Sequence, residues 1–136
     1  MDPDRLVVIP LFAALESDER ASVAARAAEQ EIAIGTVLTE EADLATRFFA
    51  IAEGRAAVTT DDGFVTILGP GDLIGEIGAI RRARRTANVV AITRMRVFGL
   101  MAWDLRDLGE QIPRLGSLLE DTIDRRLVGL DGQPGS

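Results

Sequence analysis

Residues 75–90 read GEIGAIRRARRTANVV, and this stretch interrupts a region that otherwise has the pattern of short strands. Its first six residues, GEIGAI, are long and apolar enough for one short helix between strand-like segments at 72–74 and 86–91. A glycine at the first position lets a ligand approach the backbone closely, and the N-terminus of a helix favours an anion. The stretch therefore predicts an anion site inside a β domain.

Four arginines, Arg81, Arg82, Arg84 and Arg85, follow in a chain whose net charge is −7. Three interpretations are open: a solvated surface patch, a nucleic-acid contact, or a site built around one small anion. The acidic balance argues against a domain that coats nucleic acid, because counterion release requires a broad basic face. Arg85 lies nine residues after Glu76. A guanidinium and a carboxylate facing one cavity would suit a phosphate and ribose hydroxyls.

The β region extends on both sides of this stretch, from about Gln30 to Leu100. Short apolar runs alternate there with turn residues, which is typical of an all-β sandwich or jelly roll and not of βαβ units. Glu53-Gly54 and Asp62-Gly63 predict hairpin turns. About eight strands are expected.

Helical patterns flank the β region. Residues 10–29 predict an N-terminal helix with Ser17 as its N-cap. After Met101 the helical spacing returns, with Trp103 expected as a packing residue where the helix leaves the barrel, and Pro113 begins a second helix. An apolar stripe follows on that helix, consisting of Leu115, Leu118, Leu119, Ile123 and Leu127.

The expected fold class is α+β. It comprises an eight-stranded β jelly roll with an N-terminal helix, a short helix at 75–80 and two C-terminal helices. Residues 1–128 are expected to form one domain, and the glycine-rich residues 129–136 a flexible tail.

Three absences restrict the chemistry. The sequence contains no cysteine and no histidine, which excludes zinc sites of the usual spacing and the Ser–His and Cys–His pairs of nucleophilic enzymes. All 15 cationic side chains are arginine, so there is no lysine for a Schiff base or a P-loop. A metal enzyme of the jelly-roll class would usually need histidine ligands. We therefore expect a protein that is not an enzyme and has no cofactor.

The N-terminus, MDPDRLVVIP, has no basic region of the secretory type, and no apolar run reaches the roughly 18–20 residues of a membrane span. A cytoplasmic location and no membrane span in this chain are expected.

Residues 75–89, GEIGAIRRARRTANV, closely resemble the phosphate-binding cassette of cyclic nucleotide-binding domains. Such domains occur in bacterial catabolite activators, protein kinase A regulatory subunits and cyclic-nucleotide-gated channels. We name residues 75–89 the cassette. The resemblance extends to IPLF at 9–12, the Glu53-Gly54 turn, GPGD at 69–72 and the segment 112–115. Two residues depart from the family pattern: Ile74 stands where phenylalanine is frequent, and Ala79 where leucine is frequent.

The resemblance implies a role for each residue of a ligand site. Glu76 would accept a hydrogen bond from the ribose 2′-hydroxyl, Arg85 would pair with the cyclic phosphate, and the Ala87 N–H would bind a phosphate oxygen. Thr86 would offer its hydroxyl to the phosphate or the base. Backbone N–H groups or close approach would come from Gly75, Ile77 and Gly78. Of the other arginines, Arg84 would add long-range attraction, while Arg81 and Arg82 would be solvated.

The resemblance also implies a function: a regulatory or sensor domain that binds cAMP or cGMP and changes the position of its C-terminal helix. The alternative is a ligand-independent scaffold or dimerisation module of the same fold, against which the intact Glu76 and Arg85 argue. The expected partners are the cyclic nucleotide and an effector domain or a second copy, with no direct contact to nucleic acid. Purine preference, and whether the chain stands alone or is a fragment, stay open.

Overall fold

The computed structural model describes residues 1–39, 46–60, 62–75, 79–80 and 87–131, with side chains described as far as Arg125. A 3-10 helix at Pro3–Val8 precedes two short helices, α1 (Pro10–Ala13) and α2 (Ser17–Ala24). Two further helices follow the strands, α3 (Ala102–Gln111) and α4 (Pro113–Asp131).

Eight strands lie between these helical segments in the described part of the chain. They are β1 (Ala28–Ile32), β2 (Val37–Thr39), β3 (Arg47–Glu53), β4 (Ala56–Thr60), β5 (Gly63–Leu68), β6 (Leu73–Ile74), β7 (Asn88–Ala91) and β8 (Met95–Met101). They form two four-stranded sheets with the orders β1-β8-β3-β6 and β2-β7-β4-β5. Every strand pair in them is antiparallel. The predicted eight-stranded jelly roll with flanking helices is confirmed.

Strand β3 divides the apolar interior into two clusters. Its side chains alternate between the two faces of the sheet. Phe49 and Ile51 lie in a cluster to which both sheets contribute, which we name the sandwich core. Phe48 and Ala50 point the other way, into a cluster shared with the helices, which we name the helix core. Because both faces are covered, β3 is apolar almost throughout and does not alternate with polar residues.

The N-terminal helix differs from its prediction. Within residues 10–29 a helix with Ser17 as its N-cap was expected, but the chain forms both α1 and α2, and Ala28 and Glu29 already belong to β1. Ser17 is not the N-cap; it is the first helical residue, and Glu16 occupies the cap position. The Glu19 carboxylate accepts a hydrogen bond of 2.8 Å from the Glu16 N–H. That bond satisfies a backbone donor that the helix itself leaves unpaired. Glu16 therefore serves as the N-cap, and the helix begins one residue earlier than predicted.

The two predicted hairpins have different outcomes. The Asp62-Gly63 hairpin is confirmed, because β4 and β5 pair with Thr60 opposite Gly63. The Glu53-Gly54 hairpin is wrong: β3 and β4 belong to different sheets, so this turn carries the chain from one sheet to the other. The turn residues are suited to a sharp reversal, but the pairing partners of β3 are β6 and β8, which are distant in sequence.

The C-terminal helices agree with the prediction. Helix α4 begins at Pro113, and Leu115, Leu119 and Ile123 are buried on one face. Trp103 lies at the second position of α3 and is 50% exposed, so it packs less completely than expected. Within the described residues, none of the helices combines the length and apolar character that crossing a bilayer requires. The predicted tail is outside the described residues from position 132 onward and stays a prediction.

Candidate functional site

The turn before the cassette is held against β3. The Gly69 N–H donates a hydrogen bond of 2.8 Å to the Asp72 Oδ2 atom, which closes the GPGD turn. The Gly71 N–H donates to the Ile51 carbonyl at 2.8 Å, and the Ile51 N–H donates to the Asp72 carbonyl at 2.9 Å. These bonds continue into β6, where Ile74 pairs with Phe49. The chain therefore enters the cassette from a position set by the sheet.

Near the start of the cassette the structure describes Gly75, Ala79 and Ile80. Gly75 has a φ angle of +84°, a conformation that a residue with a Cβ rarely adopts. The Ala79 N–H donates to the Gly75 carbonyl at 2.9 Å, and both Ala79 and Ile80 are helical. Ala79 is fully buried in the helix core, with Ile80 packed against it. The described part of the predicted helix at 75–80 agrees with that prediction.

Helix α3 contacts this first part of the cassette through Arg106. The Arg106 Nη1 atom donates a hydrogen bond of 2.7 Å to the carbonyl oxygen of Ala79, in a partly buried position. The two residues are 27 positions apart. Sequence reasoning missed Arg106, because no local pattern marks it.

The far end of the cassette is held by strand β2. The Thr39 hydroxyl donates a hydrogen bond of 3.2 Å to the carbonyl oxygen of Ala87. Thr39 is 8% exposed and is the one buried polar or charged residue among the described positions. Ala87 packs against the sandwich core immediately before β7. Thr39 was also missed at the sequence level, although a hydroxyl residue at the end of an apolar strand is a weak signal.

Only two of the seven predicted ligand-binding residues can be placed. Gly75 and Ala87 lie at the two ends of the cassette. The remaining five are outside the described residues, and so are the other arginines of the cassette; they are Glu76, Ile77, Gly78, Arg85 and Thr86, with Arg81, Arg82 and Arg84.

A metal site outside the cassette would require several of the described charged side chains to lie close together. Across the part of the chain that the structure describes, no group of three or more acidic residues lies close enough to hold a metal ion. Several of the described arginines pair with carboxylates on neighbouring elements, such as Arg96 with Glu29 at 3.1 Å. The cassette therefore remains the candidate site.

The family model for the cyclic nucleotide-binding domain matches residues 29–111. The chain belongs to the cyclic nucleotide-binding domain family. The matched region includes all eight strands except the first residue of β1, and it contains the whole cassette and all of α3. Arg106 and Thr39 both lie within it.

Individual relatives of this cyclic nucleotide-binding domain come from several kinds of protein. A cyclic nucleotide-gated potassium channel from Rhizobium etli is 29% identical over 122 residues, which cover 89% of this chain and 34% of the channel. The cAMP-dependent protein kinase regulatory subunit of Schizosaccharomyces pombe is 27% identical over 134 residues, which cover 93% of this chain and 30% of that subunit. The chain thus spans about a third of the length of these curated relatives.

A solved structure covers nearly the whole domain. The N-terminal domain of a transcriptional regulator from Streptomyces coelicolor is 30% identical and has a TM-score of 0.72. The match covers 95% of this chain and 94% of that one. Domains similar to this one therefore occur in a channel, in a kinase regulatory subunit and in a transcriptional regulator.

Proposed function

We propose that this domain binds cAMP or cGMP and acts as a regulatory sensor whose C-terminal helix α4 changes position when the ligand binds. Membership of the family supports a cyclic nucleotide as the ligand. One relative is named as a channel gated by cyclic nucleotides and another as a subunit of a cAMP-dependent kinase, which supports a regulatory role.

The proposal rests on the presence of both Glu76 and Arg85, nine residues apart in the sequence of the cassette. A guanidinium presents several donors in a planar fork that matches phosphate oxygens, and a carboxylate accepts from hydroxyls. Arg85 donates to the cyclic phosphate, and Glu76 accepts from the ribose 2′-hydroxyl. One ligand that carries both groups satisfies both side chains.

Backbone groups and a hydroxyl complete the proposed site. The Ala87 N–H donates to a phosphate oxygen, and the Thr86 hydroxyl binds the phosphate or the base. Gly75, Ile77 and Gly78 supply backbone N–H groups at the start of the cassette helix, where the helix dipole favours an anion. The left-handed φ of Gly75 and its bond from Ala79 support a helix start at this point.

The regulatory step is a shift between two arrangements of the domain. A ligand moves an equilibrium only by as much as its affinities for the two states differ. We propose residues 1–128 as the unit that binds, and α4 as the element whose position reports occupancy to an effector domain or a second copy. Helix α4 suits this role because it packs on the helix core through Leu115 and Leu119.

Calorimetric titration and thermal unfolding with cAMP and with cGMP test the proposal, with linear 5′-AMP as the control. A ligand present at about 100 times its dissociation constant raises the free energy of unfolding by roughly 2.7 kcal/mol if it binds only the folded protein. We expect such a shift for a cyclic nucleotide and a much smaller one for 5′-AMP. No heat of binding and no shift at millimolar ligand would contradict the proposal and favour a ligand-independent scaffold.

A further inference from the structure

Two described residues of the cassette, Ala79 near its start and Ala87 near its end, are held by different parts of the molecule. We propose that Arg106 is a positioning residue that couples the cassette to helix α3 and thereby transmits ligand occupancy to α4, whereas Thr39 fixes the other end to the barrel and sets ligand affinity. This inference rests on the proposed function and adds two residues to it.

The Arg106 contact adds a directional hydrogen bond to the apolar packing that Ala79 shares with α3. Its guanidinium donates to the Ala79 carbonyl at 2.7 Å, and Ala79 is fully buried. A buried carbonyl requires a hydrogen-bond partner, and a bond from a charged donor is roughly twice as strong as a neutral one. A displacement of Ala79 therefore either moves α3 with it or breaks a strong, partly buried bond.

The packing of the cassette ends supports two distinct attachments. Ala79 and Ile80 belong to the helix core, together with Leu105 and Leu108 of α3. Ala87 belongs to the sandwich core, between the two sheets. A ligand bound by both ends of the cassette consequently bridges the sandwich and the helical layer. Its binding free energy depends on where α3 lies relative to the barrel.

The movement of α3 reaches α4 through a backbone contact. Gly109 of α3 and Gly116 of α4 touch where the helices cross, with no side chain between them. Helices in backbone contact have little freedom to slide or separate without losing that contact. Helices α3 and α4 are thus expected to move together when Arg106 is displaced.

Thr39 holds the cassette from a strand of the sandwich and not from the helical layer. It lies on β2, which pairs with β7 within the same sheet, and its bond to the Ala87 carbonyl is partly buried. Neither strand belongs to the helical layer. Loss of this bond loosens the Ala87 end of the site, so it weakens ligand binding without removing the connection between the cassette and α3.

Trp103 provides a reporter that needs no label. It is the only tryptophan in the sequence, it lies three positions before Arg106 on α3, and it is half-exposed. Its emission should change when α3 moves relative to the barrel. Affinity, measured by calorimetry, and response, measured as the Trp103 emission change at saturating ligand, can then be followed separately in each variant.

Three substitutions separate the two roles. In Arg106→Met we expect the Trp103 response to be lost while the dissociation constant stays within about tenfold of wild type. The substitution removes the coupling between ligand binding and the position of α3, and such coupling free energies are of this size. In Thr39→Val we expect the response to be retained at saturation and the dissociation constant to rise about threefold to tenfold, the value of one neutral hydrogen bond. Arg125→Met is the control, because Arg125 bonds only to the Asp121 carbonyl of its own helix among the contacts described; neither quantity should change.

A measurement without ligand tests the contact itself. Hydrogen exchange at the Ala79 and Ile80 amides should be at least about tenfold faster in Arg106→Met than in wild type or Arg125→Met, because one charge-assisted bond is lost. If Arg106→Met does not fold, Arg106→Gln, which also removes the charge, takes its place in both measurements.

The outcomes distinguish this inference from the proposed function. A full Trp103 response in Arg106→Met overturns the inference, and so does unchanged exchange at Ala79 and Ile80. If wild-type protein binds neither cAMP nor cGMP, the proposed function is wrong. The exchange measurement then still decides whether Arg106 holds the cassette: faster exchange in Arg106→Met supports that contact, and unchanged exchange refutes it.

Discussion

Gly116 of α4 lies so close to Gly109 of α3 that a Cβ atom on Gly116 would come within 2.6 Å of the Gly109 carbonyl oxygen. The relationship is not symmetrical. A Cβ on Gly109 would meet its nearest neighbours, the Gly116 Cα and the Leu119 Cδ1, at 3.8 Å, which is an ordinary contact. The crossing of the two helices therefore depends on the absence of a side chain at one position and not at the other.

Gly116→Ala should destabilise the protein by about 1–3 kcal/mol, because the added methyl group forces the two helices apart. Gly109→Ala is the matched control and should be neutral or stabilising by up to about 1 kcal/mol, since alanine favours a helix interior over glycine. Denaturant unfolding monitored by circular dichroism measures both. Equal effects of the two substitutions would show that the close approach does not limit the packing.

Gly54→Ala should cost more than about 3 kcal/mol of stability. Gly54 has a φ of +91°, and a Cβ there would clash with the Arg94 carbonyl oxygen, so backbone strain and a steric clash combine. Gly35→Ala isolates the strain, because Gly35 has a φ of +87° and nothing within 4 Å of the added atom. We expect about 1–2 kcal/mol for Gly35→Ala from strain alone. Similar losses in both variants, measured by thermal unfolding, would contradict a steric role for the Arg94 backbone.

Two neighbouring residues of α4 should differ sharply in their contribution to stability. Leu115 is fully buried in the helix core, and Leu115→Ala should cost about 2–5 kcal/mol. Arg114 pairs with Glu16 at 3.2 Å and with Glu19 at 3.0 Å, but half of its side chain is exposed. Arg114→Met should therefore cost less than about 1 kcal/mol. That smaller loss should shrink further at high salt. Urea titrations at low and high salt compare the two, and a salt-independent loss for Arg114→Met would contradict this account.

Arg85→Ala should raise the dissociation constant for a cyclic nucleotide by about 10-fold to 100-fold, as expected for removal of a hydrogen bond to a charged group. Arg82→Ala removes the same charge three positions away and should change the dissociation constant by less than about threefold, as a screened surface charge does. Calorimetric titration measures both. Equal losses would indicate that the arginines act through their summed field and not through one phosphate contact.

Local patterns in the sequence were sufficient for most elements of the fold. The alternation of short apolar runs and turn residues predicted the strands, Pro113 predicted the start of α4, and Asp62-Gly63 predicted the β4–β5 hairpin. These features depend on residues within a few positions of one another, so the sequence carries them directly. The cassette motif likewise indicated the family from its residues alone, and the family model confirms it.

Features that depend on distant partners were decided only by the tertiary structure. Glu53-Gly54 and Asp62-Gly63 are similar dipeptides, yet only the second closes a hairpin, because the partners of β3 come from elsewhere in the chain. The bonds from Arg106 to Ala79 and from Thr39 to Ala87 join residues 27 and 48 positions apart. No periodicity spans such distances, since these contacts exist only once the sheets and helices have packed. The sequence by itself determined most of the elements and the family, because both depend on residues close together in the chain. The packing of the helical layer on the sandwich decided that Arg106 holds Ala79 and that Thr39 holds Ala87.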